Sequence, residues 1–230
     1  MVNQMIRIPR GCVLWFDLTE DTGNIVYDHS GHGNNGKVYG AVLEKRLPFI
    51  GRRFDGVDDY VEVPDSDSLK PCELTISAWI LRKGPGTGNY GGIVAKYDIL
   101  GGYLLAMHEP SNKIGFWIRK DNSYFKSIYS DITLDEIENK WTHVVAVFDG
   151  DKLMMWVNRV KQSQEASGGI LINRPLNLYI GHYGSSFTNG NIAHVSIYNR
   201  ALTTKEIKYL YEEMQKRIFR RIAPLEIRMR

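Results

Sequence analysis

Short apolar segments separated by turn residues recur along this 230-residue chain, and their spacing constrains the fold more than any other feature. The spacing is about ten residues, which is typical of antiparallel sandwiches and barrels. The chain is punctuated by 22 glycines. The pattern predicts about a dozen strands, at residues 12–18, 37–42, 60–63, 73–82, 92–97, 102–108, 113–119, 124–129, 142–149, 152–158, 176–181 and 191–198.

Three of these segments indicate how strands pair and pack. Apolar and polar residues alternate in LTISAWI at 74–80, so one face of this strand is expected to point inward. The segment HVVAVF at 143–148 is almost continuously apolar and predicts a central strand covered on both faces. The Asp149-Gly150-Asp151 turn then predicts a hairpin with the next strand.

One helix is predicted, at residues 203–223. Thr203 and Glu206 have capping-box spacing, and Ile207, Leu210 and Met214 fall on one helical face. Pro224 is expected to end the helix. Residues 224–230 alternate apolar and charged side chains, as residues 6–10 also do, which predicts strand-like arms at both ends, over 1–10 and 224–230.

Composition and length fit one globular all-β domain, assigned here to residues 11–202. Hydrophobic residues make up 43% and charged residues 24%. No apolar run approaches the roughly 20 residues of a membrane-spanning helix, so membrane insertion is not expected. The first ten residues lack the apolar stretch of a secretory signal. Cys12 and Cys72 could form one bridge, but the unpaired state is favoured.

Basic residues are concentrated at the carboxyl end. Residues 214–230 carry a net charge of +5, which leaves −2 for the rest of the chain. Such a segment is either the solvated face of a helix or a docking surface for an acidic partner. No module signature of nucleic-acid binding is present, so nucleic acid is not an expected partner. The candidate docking residues are Arg217, Arg220, Arg221, Arg228 and Arg230.

Seven phrases in chain order carry a resemblance to a known family. They are LWFD at 14–17, DHSGHGNNG at 28–36, FDGVDDYVEVP at 54–64, LTISAWI at 74–80, WTHV at 141–144, WVN at 156–158, and a closing set, IG at 180–181, GNI at 190–192 and VSIYNRAL at 195–202. Together they resemble the laminin-G-like, concanavalin A-like lectin and glucanase superfamily. The resemblance implies an all-β, two-sheet antiparallel jelly roll with one carboxyl-terminal helix. Arg159 stands where the family usually has glycine, so a different turn type is expected after Asn158.

The superfamily includes both binding modules and glucanases, so activity has to be argued from particular residues. Related glucanases carry glutamate, aspartate and glutamate alternating on one strand, and no such run occurs here. Glu62, Asp65 and Asp67 come nearest, but Pro64 interrupts them. Glu136 and Glu138 are expected to be surface carboxylates in a loop. The chain is therefore predicted not to be an enzyme.

A structural calcium ion is a further implication of the resemblance. Many relatives bind calcium near the loop that matches residues 28–36, where Asp28, Gly31 and Asn35 are the candidate ligands here. Relatives complete the site with an acidic residue on the last strand. Ala193 occupies that position in this chain, and the loss of one charged ligand is expected to weaken the site.

Aromatic side chains near turns are the candidates for ligand binding, because they can stack on sugar rings beside polar loop groups. The candidates are Tyr90, Tyr124, His182 and Tyr183, with incidental surface rings as the alternative. Trp79, Trp117 and Trp156 lie inside predicted strands and are expected to fill the core.

Two functions follow from these patterns. The favoured one is a lectin-like recognition or adhesion module that binds carbohydrate or a protein surface. The alternative is a structural assembly protein, such as a virion or phage surface component, that forms homo-oligomers or larger assemblies through its terminal arms. Glycoside hydrolysis is the least favoured function. No cofactor is predicted beyond the candidate calcium ion.

Overall fold

The computed structural model describes residues 8–19, 23–46, 49–119, 125–167 and 170–226. Most of the regular structure in this part of the chain is strand. The strands are β1 (Cys12–Phe16), β2 (Ile25–Val26), β3 (Gly36–Tyr39), β4 (Val42–Arg46), β5 (Phe49–Asp55), β6 (Tyr60–Val63), β7 (Leu74–Arg82), β8 (Tyr90–Asp98), β9 (Gly101–His108), β10 (Lys113–Arg119), β11 (Phe125–Thr133), β12 (Trp141–Phe148), β13 (Lys152–Val157), β14 (Val160–Lys161), β15 (Ala166–Ser167), β16 (Leu178–Ile180), β17 (His182–Tyr183), β18 (Ser186–Phe187) and β19 (Asn189–Tyr198). The helices are α1 (Leu134–Ile137) and α2 (Thr204–Glu226).

The strands form two large antiparallel sheets. The nine-stranded sheet has the order β14-β13-β12-β7-β19-β5-β4, with β1 paired to β19 and β15 paired to β13. The eight-stranded sheet has the order β11-β10-β9-β8-β16-β6-β3-β2, and β17 pairs with β18 in a small hairpin. Neighbouring strands in these orders often lie far apart in sequence, as expected for the predicted jelly roll.

The main core lies between the two sheets. Along β7, Leu74, Ile76, Ala78 and Ile80 enter this core, which confirms the alternation predicted for the segment. The alternate residues of the same strand, including Trp79, point away from the other sheet. Strand β12 is covered on both faces, as its continuous apolar sequence predicts, since Val144 enters the main core and Val145 a second cluster.

The second cluster lies under helix α2, on the outer face of the nine-stranded sheet. Ile207, Leu210 and Met214 of the helix pack there against Trp15, Trp79, Trp156 and Tyr198. The prediction that Trp79, Trp117 and Trp156 are core residues is confirmed, although they belong to the two outer clusters and not to the main core. All three are buried, but Trp79 and Trp156 lie beneath the helix, and Trp117 lies on the outer face of the other sheet. Each occupies the strand position that alternates with a core residue.

Two predicted hairpins have clear backbone causes. Strands β12 and β13 pair as expected across Asp149-Gly150-Asp151, where Asp149 Oδ1 accepts hydrogen bonds from the amides of Asp151 and Lys152. After β13, Asn158 and Arg159 both have positive φ, +46° and +73°, as a type I′ turn requires. Arg159 therefore adopts the backbone conformation that glycine would supply, and the expectation of a different turn type after Asn158 is wrong. Its guanidinium lies 4.7 Å from the centre of the Tyr211 ring of α2.

Helix α2 begins as predicted and ends later than predicted. The Thr203 hydroxyl accepts from the Glu206 amide, and Glu206 accepts from the Thr203 amide at 2.9 Å, which completes the capping box. The helix continues through Pro224 to Glu226, so the strand-like prediction is wrong for residues 224–226. Proline lacks an amide donor and its ring crowds the carbonyl of residue 220, and the helix ends two residues after it. Residues 227–230 lie outside the described residues.

Other predictions concern the amino-terminal half. Residues 8–10 are not a strand, and Ile8 packs against the cluster under α2. Residues 1–7 lie outside the described residues. Strands β4 and β5 extend a region where only residues 37–42 were predicted as strand.

Cys12 is buried and Cys72 exposed, and they are not bonded to each other. No described helix is both long and apolar enough to cross a membrane.

Candidate functional site

The outer face of the eight-stranded sheet, hereafter the aromatic face, carries partly exposed rings over a small buried base. Ala95, Leu104, Ala106 and Trp117 form the base. Around it pack Tyr90, Tyr97, Tyr129, Tyr179 and Tyr183. Among the described residues, this cluster includes none from α1 or α2. The opposite face of the sandwich is covered by α2, so the two outer faces differ sharply.

Trp117 is the centre of one half of the aromatic face. It alternates on β10 with Phe116 and Ile118, which enter the main core. Its ring contacts Tyr90 with centroids 5.6 Å apart and Tyr129 with centroids 5.5 Å apart, both edge to face. A side chain at Gly115 would place its Cβ 2.1 Å from the indole, so glycine lets Trp117 lie flat against the sheet.

Tyr60, Tyr179 and His182 form the other half. The centroid of Tyr60 lies 4.5 Å from that of Tyr39 and 6.0 Å from that of Tyr179. His182 packs against Tyr179 with centroids 4.9 Å apart. A Cβ at Gly92 would lie 2.5 Å from the His182 carbonyl, so glycine allows β17 to approach β8 closely. This approach brings His182 and Tyr183 onto the face.

Two adjoining pockets open on the aromatic face. The larger, the amide pocket, has a volume of about 390 Å³ and is lined by Tyr97, Leu176, Asn177, Tyr179, His182 and Tyr183 among others. The smaller, the ring pocket, has a volume of about 100 Å³ and is lined by Tyr90, Tyr97, Leu104, Trp117, Phe125 and Tyr183. Tyr97 and Tyr183 line both pockets, with ring centroids 5.7 Å apart.

The wall of the amide pocket is held by polar contacts on two sides. Glu62 Oε1 accepts from Asn177 Nδ2 at 2.9 Å and from the Tyr179 hydroxyl at 3.2 Å. Asn177 Oδ1 accepts from the Asp65 amide at 3.1 Å. Behind the wall, the buried ammonium of Lys96 donates to the Leu176 carbonyl and to Asp65. The pocket wall is therefore tied to the sandwich before any ligand arrives.

Burial disfavours the charged form of both imidazoles on this face, those of His182 and His108. Burial lowers the pKa of His182, although a backbone hydrogen bond with Ser186 and the charge of Glu62 raise it. Burial also lowers the pKa of His108, whose Nδ1 lies 2.7 Å from the Ser111 hydroxyl. A neutral imidazole offers one donor and one acceptor to a ligand.

The predicted ligand-binding residues are distributed as follows. Tyr90, His182 and Tyr183 all lie on the aromatic face, and Tyr90 contacts Tyr183 with centroids 5.6 Å apart. Tyr124 lies outside the described residues. Tyr97, Tyr179 and Trp117 were not predicted to bind a ligand, because they lie within strands and not near turns. The alternation pattern of their strands could have indicated them, since each alternates along its strand with residues of the main core and so faces outward.

The candidate calcium ligands form a closed hydrogen-bonded loop. Asp28 Oδ1 accepts from the amides of Trp15 and Ser30, both at 2.9 Å. Asp28 Oδ2 accepts from the Ser30 hydroxyl at 2.8 Å and from the Asn34 amide at 2.9 Å. Asn35 Oδ1 accepts from the Asp28 amide, and Gly31 supplies a positive φ of +91°. Ala193 offers no side-chain oxygen. These residues do not fit a calcium site, because the side-chain oxygens of Asp28 and Asn35 already face donors.

Three aspartates of the FDGVDDYVEVP phrase, Asp55, Asp58 and Asp59, bring carboxylate oxygens within 4.8 Å of one another. Hydrogen bonds within the turn account for their positions. Asp55 Oδ1 accepts from the Val57 amide, and Asp59 Oδ2 accepts from the Asp55 amide, both at 2.8 Å. Burial raises the pKa of Asp59. The phrase thus comprises the end of β5, the turn that these aspartates stabilise, and β6.

The carboxylates examined for catalysis lie in separate places. Asp65 pairs with Lys96 and Lys70, and Asp67 with Lys70. Burial opposes ionisation of Asp65, but hydrogen bonds from Lys70 and Lys96 outweigh it and lower its pKa. Glu136 caps α1 together with Thr133. Glu138 pairs with the buried Arg82. Glu62 is the member of this set that lies on the aromatic face.

The candidate docking residues follow the packed part of α2. Arg217, Arg220 and Arg221 lie in the helix beyond Met214, which belongs to the buried cluster. Arg228 and Arg230 lie outside the described residues.

Comparison with known proteins agrees with this architecture. The laminin G family model, described as the concanavalin A-like lectin/glucanases superfamily, matches residues 55–208. No curated protein sequence matches the chain. Among solved structures, the binding domain of Paraclostridial Mosquitocidal Protein 1 is similar, with a TM-score of 0.72 and 17% identity over 87% of this chain and 52% of that one.

Two botulinum neurotoxin DC binding-domain structures are also similar. The one in complex with rat synaptotagmin II has a TM-score of 0.70 and the one in complex with SialylT has 0.67, each at 18% identity over 89% of this chain and 52% of the other. The chain thus spans about half the length of these solved domains. At such identities the likeness establishes the fold. With the family match over residues 55–208, the chain belongs to the concanavalin A-like lectin/glucanases superfamily.

Proposed function

We propose that the chain is a non-catalytic binding module and that its ligand is a carbohydrate held on the aromatic face. The observation that carries this proposal is the asymmetry of the sandwich. Helix α2 covers the aromatic side chains of the nine-stranded sheet, whereas those of the eight-stranded sheet remain partly exposed.

The chemistry of the aromatic face suits a sugar. The faces of pyranose rings expose C–H groups that pack on aromatic rings, and their hydroxyls need nearby donors and acceptors. Tyr97 and Tyr183 offer rings, and Asn177 and His182 offer polar groups within the same pocket. The wall behind Asn177 is already ordered by Glu62 and Lys96, which reduces the entropy lost on binding.

The similar solved structures support a binding role, because one was determined with rat synaptotagmin II and another with SialylT. A protein surface is the alternative ligand class that these structures suggest. The aromatic face favours a saccharide because its pockets are concave and small, whereas protein partners usually need a broader contact area.

The test is a glycan array followed by calorimetric titration of the best ligand. Tyr183→Ala and Tyr97→Ala should each weaken binding by about ten-fold or more, because each removes a ring shared by both pockets. Tyr27→Ala is the matched control, since Tyr27 is 53% exposed and follows β2 at the far edge of the same sheet. Unchanged affinity in both pocket variants would refute the proposal.

A second candidate function is assembly through the carboxyl-terminal helix. It is favoured by the continuation of α2 to Glu226, past Met214, with Arg217, Arg220 and Arg221 in this stretch. Light scattering of the full chain, compared with a variant in which these three arginines are glutamate, tests it. Oligomers of the native chain that dissociate in the variant would support assembly, and equal masses would count against it.

A further inference from the structure

The two pockets of the aromatic face share a wall, and this arrangement says more about the ligand than either pocket alone. Tyr97 and Tyr183 stand between the amide pocket and the ring pocket, and each contributes to both linings. Their rings meet edge to face at 5.7 Å, so one shared pair of rings separates two neighbouring depressions. A ligand that fills both must be a chain of at least two units.

The two linings differ in chemistry. The lining of the amide pocket is rich in polar side chains. Asn177 and His182 can form hydrogen bonds with sugar hydroxyls, and three tyrosines line the same pocket, Tyr97, Tyr179 and Tyr183. The ring pocket is formed by the side chains of Trp117, Tyr90 and Phe125 together with the shared tyrosines and Leu104. The amide pocket can therefore orient one sugar unit by hydrogen bonds. In the ring pocket, aromatic side chains can stack on the neighbouring sugar unit.

The charges around the pockets bear on the class of sugar. Within the described residues, neither lining includes a lysine, arginine, aspartate or glutamate. The carboxylate of Glu62 stands directly behind the amide pocket, bonded to Asn177 and Tyr179. Arg119, on the side of the ring pocket, is a hydrogen-bond partner of Tyr97. An acidic sugar in the amide pocket would lose water near a like charge and gain no cation from the lining.

We infer that the amide pocket and the ring pocket are adjoining subsites for two consecutive units of an uncharged saccharide chain. This inference rests on the proposed function and adds to it the length and the charge of the ligand. Asn177 and His182 orient the first unit, and the exposed ring of Phe125 stacks on the second, over the buried Trp117. Tyr97 and Tyr183 contact both units.

The experiment uses a calorimetric panel of uncharged mono-, di- and trisaccharides of glucose, galactose, mannose and N-acetylglucosamine. Each glucose, galactose and mannose ligand is matched by its uronic acid counterpart. The best neutral disaccharide should bind about ten-fold more tightly than its monosaccharide, because it adds a stacked ring. Its uronic counterpart should bind about ten-fold more weakly, because the carboxylate is desolvated beside Glu62.

Two variants test the ring pocket separately. Trp117→Ala should reduce the affinity for the disaccharide towards that for the monosaccharide. Because Trp117 is 4% exposed and its loss can disturb the sheet, Phe125→Ala is the second variant, at a residue 54% exposed. Phe125→Ala should reduce the difference in affinity between the disaccharide and the monosaccharide, and the variant should still fold. Tyr27→Ala again serves as the control.

The outcomes distinguish failure of the two-subsite inference from failure of the proposed carbohydrate-binding function. Equal affinity for the monosaccharide and the disaccharide, or for neutral and uronic ligands, would overturn the two-subsite inference if binding is still lost in Tyr183→Ala. Absence of binding across the panel, or binding that Tyr183→Ala and Tyr97→Ala leave intact, would overturn the proposed function and the inference together. A disaccharide gain that Phe125→Ala reduces would support both.

Discussion

The residue with the strongest pH signature is His143, which is buried beneath helix α2. Its Nε2 lies 2.8 Å from the Ser77 hydroxyl, and its ring stacks on Trp79 with centroids 5.1 Å apart. Tyr211 of α2 packs beside both rings, with its centroid 5.8 Å from that of His143 and 5.2 Å from that of Trp79. Burial, with a smaller contribution from the charge of His194, lowers the pKa of His143 to about 3. The folded protein therefore keeps this imidazole neutral where an unfolded chain would protonate it.

Acid should destabilise the protein through His143. An unfolded histidine titrates near pH 6.5, so below that pH the unfolded state binds a proton that the folded state refuses until about pH 3. Stability is thus highest above pH 6.5 and falls as the pH decreases through this window. At pH 5 the contribution of His143 amounts to a loss of about 2 kcal/mol in the free energy of unfolding.

Denaturant unfolding at pH 7.5 and pH 5 measures this effect. His143→Gln removes the titrating group and keeps a side chain that can bond to Ser77, so the difference between the two pH values should shrink by about 2 kcal/mol. His29→Gln, at an exposed histidine, should leave the difference as it is in the native chain. An unchanged pH difference in His143→Gln would contradict this account of the buried imidazole.

Part of the aromatic face was predictable from the sequence. Tyr90, His182 and Tyr183 could be named because they lie near glycine-rich turns. Tyr97, Tyr179 and Trp117 were missed because alternation along a strand separates two faces without saying what covers each of them. Trp79 and Trp117 occupy the same kind of position in the alternating pattern of their strands. In the folded chain, however, Trp79 packs with residues of helix α2, whereas the cluster around Trp117 includes no residue of the described helices.

At the scale of elements, helix α2 determines which sheet face is available for binding. Its capping box fixes its start, and the bidentate pair of Arg200 with Glu206 reinforces that start. The hydrogen bonds from Arg200 lower the pKa of Glu206 to about 2. Ile207, Leu210 and Met214 then fill the space over the tryptophans of the nine-stranded sheet.

Truncation of one packing residue of α2 should destabilise the whole protein. Ile207 is fully buried in the cluster with Trp15 and Trp79, so Ile207→Ala should lower the free energy of unfolding by about 2–5 kcal/mol. Lys208→Ala, at the exposed next position, should change it by less than about 0.5 kcal/mol. Chemical denaturation followed by tryptophan fluorescence measures both variants. Equal free energies of unfolding for Ile207→Ala and the native chain would mean that packing of the helix on this face does not stabilise the protein.

Elements were predictable where local pattern and environment agree. Strand β7, the β12–β13 hairpin and the start of α2 follow from alternation, turn chemistry and capping. Strand β5 was missed because its segment is rich in charge, yet Arg52 is 4% exposed and donates to the Ala41 carbonyl. The partner that allows such a burial is known only once the chain has folded.

At the scale of the whole molecule, the sandwich has one covered face and one face with partly exposed aromatic rings. The covered face buries Trp15, Trp79 and Trp156 under α2 and contributes to stability. The aromatic face keeps tyrosines partly exposed over a base of small residues and Trp117. Superfamily membership establishes the scaffold, and the difference between the two faces supports the assignment of the binding surface.

The most direct test of this assignment is to map the bound saccharide on the protein by amide NMR spectroscopy. The neutral disaccharide that binds most tightly should be titrated into isotope-labelled protein. The account predicts that shifts concentrate in β8, β10 and β16 and around His182 and Tyr183, with the amides of α2 unmoved. Shifts concentrated in residues 28–36 or along α2, with the aromatic face unperturbed, would contradict it.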